Sequence, residues 1–83
     1  MNQVIRNPSQ LGSLIQSDRL KKGLTQKALA ELTGIGQKTI SHIENGQDGT
    51  KLETIFTLLA ALELELNLAS RSKSAKRDIS EIF

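Results

Sequence analysis

The segment Thr33-Gly34-Ile35-Gly36 constrains this chain most. Four residues with two glycines hold no helix of their own and leave no slack. The apolar-periodic stretches on either side must therefore be two short helices packed at an angle. Thr25 reads as the cap of the first, Gln26 to Leu32, with Ala28, Leu29 and Leu32 expected in the core. The second runs from about Gln37 to Asn45, where Asn45-Gly46 ends it. At about 100° per residue, Ile40, Ile43 and Glu44 fall on one side. Lys38, Ser41, His42 and Asn45 fall on the other, so the outward face is wholly polar.

The flanking segments add two more helices. Asn7-Pro8-Ser9-Gln10 is a start signal, with Asn at the N-cap, Pro at the first helical position and Gln completing a capping box. Leu11, Leu14, Ile15 and Lys22 share a stripe, and Gly23 stops the helix. After a loop from Gly46 to Thr50, a fourth helix spans about Lys51 to Leu62, with Leu52, Ile55, Phe56, Leu59 and Leu62 directed inward. Leu58 lies off that stripe and is expected to face a partner. From Leu62 the period falls to two: Leu62, Leu64, Leu66 and Leu68 alternate with Glu63, Glu65 and Asn67, the pattern of a half-buried strand over about 63–68. A lone strand leaves its backbone unpaired. Its mate is either Gln3 to Ile5 or, as the stronger candidate, the same strand of a second subunit across a two-fold axis.

Eighty-three residues suffice for one small domain. With two Phe and no Trp or Tyr, its core is built from Leu, Ile and Ala. The absence of cysteine excludes disulfides, thiolate metal sites and a cysteine nucleophile, and the single His42 offers no metal cluster. No cofactor is expected. The apolar stretch Leu52 to Leu68 is broken by Glu53, Glu63 and Glu65, and Met1-Asn2-Gln3 is too polar for a signal peptide, so a soluble cytoplasmic chain is expected. Residues 1–69 are electrically balanced, and the net +2 sits in residues 70–83. Within the body, Arg19 to Lys51 holds six basic and three acidic residues, whereas Leu52 to Ala69 holds three acids and no base. Such polarity suits one anionic partner and one separate contact, or simply a solvated surface. The segment 70–83, basic and serine-rich without apolar periodicity, is expected to be a disordered tail ending in the apolar Ile79, Ile82 and Phe83.

Two short helices joined by a glycine turn, the second with a polar outer face, make the helix-turn-helix that enters the DNA major groove. Helix N-termini and hydroxyl or amide groups suit phosphate oxygens, which assigns Thr25, Gln26 and Lys27, joined by Thr39 and Asn45, to the backbone. Gln37 and Lys38 carry groups that pair with base edges, and Ser41 and His42 lie one turn further on. The plain alternative is a short helix with a solvated face, and for His42 a mere surface residue. No triad, acid pair, phosphate loop or metal cluster appears, so no enzyme is expected.

Gly23-Leu24-Thr25-Gln26, Leu29-Ala30, Gly34-Ile35, Ile40-Ser41 and Ile43-Glu44-Asn45-Gly46 together resemble the phage-repressor-like, xenobiotic-response-element helix-turn-helix regulators over about Leu11 to Leu62. The resemblance implies a mainly α, lambda-repressor-like domain of four to five helices. It also implies a structural ion pair between Glu44 and an arginine of the first helix, at the position of Arg19. Asp18 departs from the pattern, which favours an apolar residue there. The strand after the last helix and the basic tail are similar to those of HipB-type antitoxins, small DNA-binding dimers that partner HipA-type kinase toxins. That implies a pseudo-palindromic DNA operator, a homodimer joined through Leu64, Leu66 and Leu68, and a kinase partner. A stand-alone phage-type repressor is the alternative, and it leaves the tail unexplained.

Overall fold

A computed structural model describes residues 4–71. It contains four helices: α1 (Pro8–Lys21), α2 (Gln26–Thr33), α3 (Gln37–Glu44) and α4 (Leu52–Ala61). The third packs against α1 and α2, and α2 also packs against α4. The core is Ile15, Leu29, Ile40, Ile43, Ile55, Leu58, Leu59 and Leu62. The expectations for residues 1–3 and for 72–83 of the basic tail lie outside the described residues.

Each boundary has a local cause. Asn7 caps α1 by accepting a hydrogen bond from the Gln10 amide at 2.8 Å, and Pro8 stands where no helical N–H is needed. The capping box differs in one respect: the Gln10 side chain accepts from the Arg6 amide, one residue before the cap. At the other end of α1, Leu24 N–H reaches the Arg19 carbonyl and Gly23 N–H the Leu20 carbonyl, the pair of bonds that a residue in the left-handed region allows. The same closure ends α4, but there the left-handed residue is Glu63 at φ 60°. It directs Leu64 back onto the core, which that leucine partly covers.

Four apolar residues, three on α4 and one on α2, are placed differently from the sequence reading. Leu58 is fully buried, whereas Leu52 and Phe56 are exposed. The inward face of α4 is the row 55, 58, 59 and 62, turned by about half a helical residue spacing from the predicted row, because the helix is fitted to α2 as well as to its own periodicity. Leu32, expected inside, is 63% exposed at the last turn of α2. Asp18 finds its account here: at the rim of the core it pairs with Lys22 one turn on, at 2.8 Å.

The leucine-alternating segment forms no strand among the described residues. Residues 65–71 have no regular structure, Leu66 is half-exposed and Leu68 is 94% exposed. Val4 and Ile5 form no strand with them.

Backbones of α1 and α3 approach closely at Gly12, buried where the two helices cross. A Cβ there would collide with the Ile43 carbonyl oxygen and lie 2.9 Å from that of Glu44. Both obstacles are backbone and cannot turn aside. Gly12→Ala is therefore expected to destabilise the fold by about 1–3 kcal/mol despite alanine's better helix propensity. Urea unfolding at unchanged m-value measures the loss, and an equal or higher midpoint would contradict the crossing.

Candidate nucleic-acid interface

The three helices that present the polar face are locked by one buried pair. Glu44, the last residue of α3, and Arg19 of α1 are buried on the inner sides of their helices. Arg19 Nε donates to Glu44 Oε2 at 2.7 Å and Nη2 to Oε1 at 3.0 Å, a two-pronged match of guanidinium to carboxylate. Arg19 Nη1 donates to the Leu24 carbonyl at 2.7 Å, and Gln26 Nε2 to Glu44 Oε1 at 3.0 Å. The Glu44 hydrogen bonds hold the Arg19 guanidinium above its ordinary pKa, against the lowering effect of burial. A pair so enclosed is weak evidence of net stability, but removing one partner strands a buried charge at a cost of about 3–5 kcal/mol. No buried side-chain nitrogen or oxygen among the described residues lacks a partner. Arg19 and Glu44 thus stand together as the resemblance implies.

The N-terminus of α2 is capped by Thr25. The Thr25 hydroxyl oxygen accepts from the Ala28 amide at 2.9 Å, and the Leu29 amide bonds the Thr25 carbonyl. Helix geometry leaves the amides of Gln26 and Lys27 without intrahelical acceptors. Lys27 is exposed, whereas Gln26 is half-buried because its amide nitrogen turns inward to Glu44.

On α3, Gln37, Lys38 and Thr39 are exposed at the first turn, and Ser41 and His42 are half-buried one turn later. Asn45 is exposed just past the helix, its side-chain nitrogen 3.4 Å from the Ser41 hydroxyl. His42 does more than face outward. Its Nε2 lies 2.7 Å from the Asp48 carbonyl oxygen, which only accepts, so Nε2 carries the proton and Nδ1 remains for a partner. The ring therefore clamps the loop after α3 against that helix.

The clamp creates a feature the sequence reading missed. Lys38, Thr39 and His42 of α3 border a shallow basin whose far side is Thr50, Lys51 and Thr54, at the start of α4. Two lysines and three hydroxyls converge on this rim. The signal in the sequence was Lys51 and Thr54 at a helix start, but only the folded loop brings them to α3. Leu64, Leu66 and Leu68 lie away from this constellation in sequence, and the first alone is anchored to the core. No group of acidic or histidine side chains suited to a metal occurs among the described residues, and no described helix is long and apolar enough to cross a membrane.

Comparison with known proteins agrees with this geometry. Residues 15–68 match the helix-turn-helix family model. The chain is 40% identical over 79 residues to Antitoxin HipB of Escherichia coli K12, covering 95% of this chain and 89% of the relative. It is equally identical to Antitoxin HipB of Escherichia coli O6:H1, of which it covers 83%. Among solved structures, a chain of a HipA-HipB-O2-O3 complex superimposes with a TM-score of 0.78 at 42% identity, over 87% of this chain and all of that one. The HipB chain of a HipB-O4 20mer complex gives the same values. The buried Arg19–Glu44 pair, the glycine turn and the polar third helix thus sit in a chain that belongs to the helix-turn-helix family of HipB-type antitoxins.

Proposed function

We propose that the protein is a sequence-specific DNA-binding repressor that acts as the antitoxin of a HipA-type kinase, binding a pseudo-palindromic operator as a homodimer in the cytoplasm. The observation that carries this reading is the polar face of α3, held outward by the buried Arg19–Glu44 pair, in a chain similar to HipB over nearly its whole length. The solved relatives are complexes of HipB with O4 20mers and with HipA, O2 and O3, and we take O2, O3 and O4 to be operators. Gln37 and Lys38 read base edges, with Ser41 and the free Nδ1 of His42 one turn further along. Thr25, Gln26, Lys27, Thr39 and Asn45 hold phosphates, and Lys51 with its neighbouring threonines adds a second phosphate contact. The protein performs no catalysis in this scheme and uses no cofactor.

Footprinting on DNA from upstream of its own coding sequence should protect two half-sites about one helical turn, or a small multiple, apart. Affinity should fall steeply with salt. Lys38→Ala should relax sequence preference by roughly 1–3 kcal/mol at one base pair of each half-site. Protection of one unrepeated half-site by a monomer would overturn the reading.

The domain comprises residues 1–69, and its dimer forms through residues 63–68, whose Leu64, Leu66 and Leu68 share one face. Their support is the exposure of Leu66 and Leu68 together with the lack of a neighbouring strand among the described residues. Pairing the segment with its copy would cover those leucines and join the two backbones. Leu66→Pro removes one ladder donor, so sedimentation should show a monomer whose far-ultraviolet helix signal persists. An unchanged dimer mass would place the interface elsewhere, with the exposed Leu52 and Phe56 the next candidates.

Residues 70–83 are the kinase-contacting tail in this scheme. Their four cations and four serines carry no apolar period, yet Ile79, Ile82 and Phe83 supply a hydrophobic end that a groove on a protein can use and a phosphate backbone cannot. Truncation after Ala69 should spare the dimer and operator binding but weaken capture of the HipA-type kinase encoded beside it. If truncation instead costs only salt-sensitive DNA affinity, Arg71, Lys73, Lys76 and Arg77 are phosphate contacts.

A further inference from the structure

The Arg19–Glu44 pair accounts for its own burial, but the third hydrogen bond on that carboxylate does not follow from charge pairing. Glu44 Oε1 receives Gln26 Nε2 at 3.0 Å while it also receives Arg19 Nη2 at 3.0 Å. We propose that Glu44 is a positioning residue for Gln26, so that the buried pair sets DNA affinity through the amide at the start of α2 as well as holding the helices together. The proposal rests on the DNA-binding function above.

A glutamine at a helix start has three side-chain torsions to fix, and its amide can present either an oxygen or a nitrogen. A phosphate accepts hydrogen bonds and gives none, so half of those presentations are useless or repulsive. The carboxylate resolves the ambiguity by chemistry. Ionised Glu44 is acceptor-only, so the end of the amide that faces it must be the nitrogen. One N–H is spent on Oε1, and the other, on the same nitrogen, stays available in a plane already fixed. The rotamer freedom that DNA binding would otherwise have to remove is lost on folding instead. Glu44 itself cannot touch DNA, because its side chain is 1% exposed. Its own place is over-determined: Arg19 grips both oxygens from α1 and is in turn held by the Leu24 carbonyl ahead of α2. The end of α3 and the start of α2 are therefore tied through one carboxylate, and the reading and anchoring helices keep a common frame.

A double-mutant cycle on the full-length dimer tests this. Glu44→Asp keeps the negative charge but draws it back by one methylene from Arg19 and Gln26 alike, and Gln26→Met keeps the length without the amide, so the cycle isolates the part of the loss that passes through Gln26. The probes are a duplex from upstream of the gene and a mixed-sequence duplex of equal length, used at a temperature where thermal melts show every variant folded. Glu44→Asp should weaken binding to both duplexes roughly three- to tenfold in the parent, the scale of immobilising one rotamer-rich side chain on binding, and less than about twofold in the Gln26→Met background. The salt slope should not change, because no cation is lost. Equal weakening in both backgrounds, or none in the parent, would overturn the proposal. A parent protein that binds neither duplex would overturn the DNA-binding function itself. Should Glu44→Asp fail to fold, ¹⁵N relaxation of the Gln26 side-chain amide in the DNA-free parent decides the matter: rigidity close to that of the backbone is expected, and a freely rotating amide would overturn the proposal.

Discussion

The carboxylate of Glu44 is the point on which the helices depend. It draws on α1 through Arg19 and on α2 through Gln26 from its own place at the end of α3, in a chain whose apolar core is only a handful of aliphatic side chains. So small a core gives weak directional information, because Leu and Ile contacts tolerate sliding and rotation. Hydrogen bonds to a buried charge do not: each has a length and an angle, and a slip of one turn would leave an ion alone in the interior. In this domain the hydrophobic side chains drive collapse, and the polar junction fixes the angle between helices.

Much of this was legible in the sequence because it lies in local chemistry. The caps at Asn7 and Thr25, the glycine stops and the inner face of α3 depend on residues within a few positions of one another, and each is found where the sequence places it. Glu44 was recognisable as buried because an acidic residue sat at an apolar phase of a short helix. Its match with Arg19, 25 residues away, came from resemblance and not from periodicity.

The failures have a common origin. Which of Leu58, Leu52 and Phe56 turns inward is decided by how α4 lies on α2, a relation between helices that no single-helix projection contains. Leu32 sits on the predicted stripe but at the end of α2, beyond the reach of its neighbours. The basin between α3 and α4 depends on a loop folded by His42 and Asp48, and the inward turn of Gln26 on a carboxylate 18 residues away. The alternation of leucines at 64, 66 and 68 is plain in the sequence, yet no second strand stands beside it among the described residues.

The crossing at Gly12 bears on how such a regulator can diverge. Where α1 and α3 meet there, the spacing is set by main chain against main chain, with no side chain between them to be exchanged. Outer-face residues of α3 other than His42, whose ring holds the following loop, can therefore be rewritten without altering the distance at that crossing. Under the proposed function, scaffold and address are separate at this crossing, and a new operator preference is reachable by substitutions at Gln37, Lys38 and Ser41 that leave the spacing of α1 and α3 in place.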